Sequence, residues 1–304
     1  MSKYIVSTTI NPVTEAINKY DSFNDWTLVV AGDLKTPKDY KLKNGIYLDP
    51  SSQDKLDEEL SNLIGWNCIQ RRNIALLYAM RAGATEIALI DDDNIPLENW
   101  GKSLLVGKTL EVNNFQCEQL AFDPIGAAGE LNLWHRGFPL ELLRSRDYSI
   151  SKKEILRPSI QANFWNGDPD IDAICRLEHQ PNVVFDPSKF PFSSNALSPF
   201  NSQNTIISRE IVGDYFLFPF IGRMDDIWAS YYVESKGYKV VYHEPTVFQS
   251  RNEHNLIDDM KKEYIGYENN LSMIKDLIHD PESIIKYLPG RSIAAWNRFR
   301  KILL

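Results

Sequence analysis

The sequence predicts an α/β fold built on a mainly parallel sheet, and the first third of the chain carries that expectation. Short apolar runs rich in β-branched residues alternate with helical periodicities, and several of the runs stop at polar or acidic residues. Tyr4 to Ile10 reads as a strand ending at Asn11-Pro12, Thr14 to Tyr20 as a short helix, and Trp26 to Ala31 as a second strand ending at Gly32-Asp33. From Arg71 to Ala82 the residues Ile74, Leu77, Tyr78 and Arg81 recur at helical spacing, with Gly83 in the capping position. The strand Ile87-Ala88-Leu89-Ile90 follows and ends in Asp91, Asp92 and Asp93. Ligands of such sheets bind outside the carboxyl ends of the strands, where Thr8, Thr9, Asp33 and the three acids would gather.

The second half is less regular. Strands are expected at Asn204 to Ser208 and Lys239 to His243, and helices at Asp225 to Ser235 and Asn255 to Tyr267. No clean linker appears, so residues 1–270 are expected to form one catalytic domain and 271–304 a helical tail. In that tail Ile293, Trp296, Phe299 and Ile302 recur at helical spacing beside Arg298 and Lys301. The face they make would pack on its own domain, on a second copy of the chain, or peripherally on an anionic membrane.

The formal net charge of -8 speaks against a nucleic-acid partner, which would call for a basic stripe. The opening residues lack the pattern of a secretory signal, and no apolar run reaches transmembrane length. Cys68, Cys117 and Cys175 show no metal-binding spacing. The expectation is a cytoplasmic protein.

The acidic strand end is the most informative feature. Side chains alternate along an extended chain, so Asp91 and Asp93 point one way and Asp92 the other. Converging carboxylates repel unless a cation lies between them, and Mg²⁺ or Mn²⁺ takes oxygen ligands, with phosphates completing the shell. A solvated acidic turn is the plain alternative. Arg71 and Arg72 would neutralise a diphosphate or stand solvated in a first helical turn. Arg136, in Trp134-His135-Arg136-Gly137-Phe138-Pro139, suits a rigid loop that presents a guanidinium to an anion or pairs with a surface acid. Asp168, Asp170 and Asp172 recur every second residue and suit the hydroxyls of a sugar, or the cap of a helix. In Gly222-Arg223-Met224-Asp225-Asp226 the paired acids cap a helix or, in a cleft, supply a general base; Arg223 could instead hold one ionised. His254 or His243 would complete a metal shell or serve as a hydrogen-bonded structural residue.

Taken in order, Trp26 to Pro37, Arg72-Asn73, the acidic strand, Asn166 to Ala173 and Asn201 to Thr205 resemble the STELLO-type glycosyltransferase-like family, of GT-A fold. Arg136 to Pro139, Gly222 to Trp228 and Lys261 to Gly266 are similar to the reversibly glycosylated polypeptides, which are UDP-arabinopyranose mutases. The chain departs from the mutases at Phe138, Leu140 and Asn94, and a histidine expected after the late strand is replaced around Gln249.

The resemblance implies a GT-A-type sheet, mixed and mainly parallel, flanked by helices. It also implies a nucleotide-diphosphate sugar donor, a UDP-sugar first of all, used by a metal-dependent glycosyltransferase with a sugar or glycan acceptor. Asp91 and Asp93, with His254, would hold a divalent Mn or Mg. Thr8, Thr9, Asp33, Arg71, Arg72, Asp91 and Asp92 would bind the donor. Asp168, Asp170, Asp172 and Arg223 would line the sugar pocket, and Asp225, Asp226 and Arg136 would carry the chemistry. In the mutases the arginine matching Arg136 is associated with reversible glycosylation. A pyranose–furanose mutase and a non-catalytic nucleotide-sugar-binding subunit are the alternatives, and a homo-oligomer is a candidate assembly.

Overall fold

The apolar runs of the first third form a parallel sheet as expected. The computed structural model describes residues 2–250 and 255–303. In chain order its elements are β1 (Lys3–Thr8), α1 (Glu15–Tyr20), β2 (Thr27–Ala31), β3 (Ile46–Leu48), α2 (Pro50–Ile64), α3 (Arg72–Arg81), β4 (Glu86–Ile90) and β5 (Asn94–Pro96). There follow β6 (Leu110–Phe115), α4 (Pro124–Ala127), β7 (Ser151–Leu156), β8 (Ile160–Gly167), α5 (Ala173–Glu178), β9 (Phe192–Ser194) and β10 (Asn204–Ser208). The chain closes with α6 (Asp225–Ser235), β11 (Val240–Gln249), α7 (Leu256–His279) and α8 (Gly290–Leu303).

Among the described residues the strands join one mixed sheet in the order β3-β2-β1-β4-β10-β8-β11-β9-β6-β7, with β5 paired to β11. β3, β2, β1 and β4 are all parallel, and their core-facing residues, such as Ile5, Val29 and Leu89, are fully buried. Their registers bring the ends of β1, β2 and β4 to one edge of the sheet. β10 then enters antiparallel to β4, with Asn204 opposite Ile90, so residues 201–204 lie beside the acidic strand end. β11 runs parallel to β8 and delivers Gln249 beside Gly167 and, across β5, beside Asn94. The sheet therefore collects side chains from five distant stretches at one edge.

Two helices differ from expectation, one in length and one in being present at all. α7 continues to His279, so residue 270 lies inside it. α2 has no counterpart in the sequence reading. Its backbone breaks at Asp57, which takes an extended conformation and caps the second half by accepting from Leu60 N at 2.7 Å.

The C-terminal helix settles one alternative. Trp296 and Phe299 are buried, against Phe218 and Tyr232 in one case and Phe216 in the other. Arg298 pairs with Asp57 of α2, and Arg300 with Asp214. The apolar face offered to a membrane is thus corrected to a face packed on its own domain. Among the described residues no helix is long and apolar enough to cross a membrane.

Candidate active site

The alternation read from the acidic run is realised. Asp91 and Asp93 line one cavity and Asp92 lines another, on the far side of Ile69. Asp92 accepts from Thr9 Oγ1 and, at 3.1 Å, from Asn11 Nδ2, while Thr14 Oγ1 donates to its carbonyl. Thr8, Thr9, Asn11, Asn67 and Cys68 share that second cavity, of about 200 Å³. Asp33 lies beside it rather than in it: its carboxylate accepts from Leu34 N, Asn67 N and Cys68 N and so fixes the loop that walls the cavity.

The cavity on the Asp91 side, of about 170 Å³, is bounded by Asp91, Asp93, Arg136, Arg223, Asp225 and Asp226, with Ser202, Gln203 and Gln249 between them. Arg72 reaches Asp91 from below, with Nη2 to Oδ1 at 2.5 Å, and is anchored by Ser202 O and Oγ at 2.7 Å. Burial pushes the Asp91 carboxyl above its ordinary range, and Arg72 opposes that rise.

The paired acids at the start of α6 have different partners. Asp226 accepts from Ser202 N at 2.8 Å, from Ser202 Oγ at 3.0 Å and from Arg136 Nη1 at 3.1 Å. Asp225 accepts from Gln70 Nε2 at 2.8 Å, and burial, reinforced by the neighbouring Asp226 charge, pushes its carboxyl up to about 7. The sequence left open whether burial would raise one carboxyl or an arginine would hold one ionised; here Asp225 is raised, and the arginine facing Asp226 is Arg136, not Arg223. Gly222 makes this turn possible. It sits at φ 63° with its Cα against the α7 backbone, where any Cβ would collide with the Lys262 carbonyl oxygen.

Several predicted residues serve elsewhere. Arg71 is fully buried, donates to Gln53, Ser61 and Gly65, and stacks on Trp66 at 3.7 Å; it locks α2 to α3 and does not line the cleft. Asp170 braces Arg136 through a two-pronged pair at 2.9 Å. Asp168 pairs with Arg176, and Asp172 caps α5 while accepting from Trp134 Nε1. The three alternating acids are therefore corrected from a sugar-lining set to a scaffold behind the cleft. Arg223 lines the cleft but is held by Glu263 at 2.8 Å. Arg136 is buried, and each of its three guanidinium nitrogens is already engaged by Asp170, Asp226 or Arg223 O. It braces Asp170 and Asp226 at the wall of the cleft. His243 is buried in β11, and His254 lies outside the described residues.

Gln70, Ser202, Gln203 and Gln249 are site residues to which the sequence reading gave no role. Neutral amides and hydroxyls carry no charge pattern, and only their place, at the ends of β10 and β11 or, for Gln70, in the turn before α3, could have signalled them. Among the described residues Gln249 Oε1 is buried without a hydrogen-bond partner. An orphaned acceptor beside Asp91 and Asp93 makes an all-oxygen donor set suited to a hard divalent ion. Among the described residues no three His, Cys, Asp or Glu side chains are grouped to enclose an ion. The fit is to Mg²⁺ or Mn²⁺ sharing its shell with ligand phosphates, not to an all-protein cage.

Over 223 residues, 66% of its length, the chain is 25% identical to the probable glycosyltransferase STELLO2 of Arabidopsis thaliana. The likeness is to a STELLO protein. STELLO1 of the same plant matches equally, at 25% over 67% of the chain. The STELLO-like stretch spans only 29% of the length of either relative. No family model matches the chain. Among solved structures, glucosyl-3-phosphoglycerate synthase from Mycobacterium tuberculosis with phosphoglyceric acid aligns at TM-score 0.49 and 11% identity, over 90% of this chain and 80% of that one. The same enzyme with Mn²⁺ and UDP-glucose aligns at 0.46 and 12%, over 90% and 79%.

Proposed function

We propose that the chain is a nucleotide-sugar glycosyltransferase that uses a UDP-sugar and a divalent ion. The observation that carries this reading is the meeting of Asp91 and Asp93 with a buried Asp225, its carboxyl raised to about 7, in one cleft at the carboxyl ends of parallel strands. Asp91, Asp93 and Gln249 would hold Mg²⁺ or Mn²⁺ together with the donor diphosphate. When bound, the ion offsets the charge that develops on the departing nucleoside diphosphate. The cavity beside Thr8, Thr9 and Asp92 receives the nucleoside.

Asp225 takes the proton that the acceptor hydroxyl loses as its oxygen bonds the anomeric carbon and the bond to the diphosphate breaks. Gln70 orients that carboxyl. Arg136 keeps Asp226 and Asp170 in place, and Asp226 holds the 202–203 turn that forms the cleft wall. The three thiols are free, which suits a reducing compartment such as the cytoplasm.

Calorimetric titration of UDP, with CDP, GDP and dTDP as controls and with or without Mn²⁺, tests the donor class. Metal-dependent binding of UDP alone supports the reading. If correctly folded protein takes up none of the four, it is wrong.

A further inference from the structure

Beside the acidic cleft lies another cavity, of about 420 Å³, between residues 62–70 and 219–220 and capped by Arg291 of α8. Gln70 joins the two: it lines this cavity, and its carboxamide reaches Asp225 at 2.8 Å. The walls are aromatic. Trp66 is half-buried and stacks on the Arg71 guanidinium, and Phe220 stacks with Arg291 at 4.7 Å, so a cation fixes the plane of each ring. Arg291 is itself held by Asn62 O and Leu63 O.

Phe220 stands out further. It is 48% exposed and sits at φ 69°, in the left-handed region where a bulky side chain is strained. Among the described residues the other non-glycine at positive φ is Asn67, which follows Trp66 in the chain and lines the cavity beside Asp92. Strain persists where surrounding structure enforces it, and it concentrates at ligand sites. The ring is held against backbone preference with one face on Arg291 and nearly half of its surface still open.

We infer that this cavity is the acceptor subsite and that its occupant is a neutral sugar ring, an inference that rests on the transferase reading. A pyranose has an apolar C–H face that packs on rings such as Trp66 and Phe220. Its hydroxyls pair with carboxamides, here Asn62 and Gln70. Gln70, which also meets Asp225, marks the border of the subsite, and the reacting hydroxyl extends past it into hydrogen-bond reach of Asp225. The C-terminal helix thereby contributes Arg291 to specificity as well as to packing.

The test is saturation-transfer NMR on the full chain with methyl β-glucoside, maltose, cellobiose and lactose as probes, alongside UDP titration with Mn²⁺ on the same samples. At least one probe is expected to bind the wild type. Phe220→Ala should weaken that binding about tenfold and Phe220→Tyr should restore it, with UDP binding unchanged in both. Asn62→Ala, an exposed change that does not disturb packing, should weaken it as well, which keeps the test open if Phe220→Ala misfolds. No binding of any probe to the wild type, or equal binding to wild type, Phe220→Ala and Asn62→Ala, overturns the inference. Sugar binding that depends on Phe220 without any UDP binding would retain the sugar subsite and remove the donor reading instead.

Discussion

Asp225 and Arg136 show how single side chains divide labour in this cleft. In the proposed mechanism Asp225 acts in its ionised form, and its carboxyl is raised to about 7, so turnover should climb as the pH passes through that value. Asp225→Asn removes the acceptor of the proton. Its kcat should fall by about 10²- to 10⁴-fold, the acidic limb of the pH profile should vanish, and UDP affinity should hold. A variant that keeps the full rate would exclude Asp225 as the base. Arg136 has a structural task, because two buried carboxylates depend on its fork. Arg136→Lys keeps the charge but cannot span Asp170 and Asp226 together, so it should cost about 3 kcal/mol in urea unfolding. A loss within error would show that the brace is dispensable. At this scale the sequence was legible where the backbone itself dictates direction: alternation alone separated Asp91 and Asp93 from Asp92. It was not legible where the partner is remote. Asp168, Asp170 and Asp172 follow the same alternation, yet Arg176, Arg136 and Trp134 decide what each one does, and no local pattern names those partners.

At the scale of elements, α2 and α8 depend on one another. Asp57 breaks α2 and is almost wholly covered, and Arg298 of α8 meets it at 2.6 Å. Burial would push the Asp57 carboxyl up, but the hydrogen bonds from Arg298 and Leu60 N outweigh it and leave the group below its ordinary range. A depressed carboxyl contributes stability above its unfolded pKa of about 3.9 and loses it as the pH falls through the folded value. Arg298→Ala should therefore destabilise the chain by about 2 kcal/mol at pH 7, and the difference from wild type should shrink below about pH 4. Equal unfolding midpoints at pH 7 would show that α8 docks through its apolar face alone. The same elements explain which parts of the fold could be read. β1, β2 and β4 announced themselves through uninterrupted apolar runs. α2 did not, because its break at Asp57 interrupts the periodicity. β11 was expected to stop at His243, since Glu244-Pro245 reads as a terminus; a bulge between His243 and Val247 absorbs the proline and carries the strand on to Gln249.

Across the whole molecule, the cleft gathers four carboxylates around one small cavity. Asp91, Asp93, Asp225 and Asp226 border one small cavity, with Arg72 and Arg136 already committed to Asp91, Asp170 and Asp226. A diphosphate alone would meet repulsion there, whereas a divalent ion entering with it would relieve the repulsion on both sides. Ion and nucleotide should therefore bind as a coupled pair, each weak without the other. Because a ligand that binds only the folded state stabilises it, UDP with Mn²⁺ at about a hundred times the dissociation constant should raise the unfolding temperature by roughly 5 °C. UDP with a chelator should raise it far less. Asp93→Ala should abolish the shift. A shift that survives both the chelator and Asp93→Ala would place the nucleotide somewhere other than the acidic strand end.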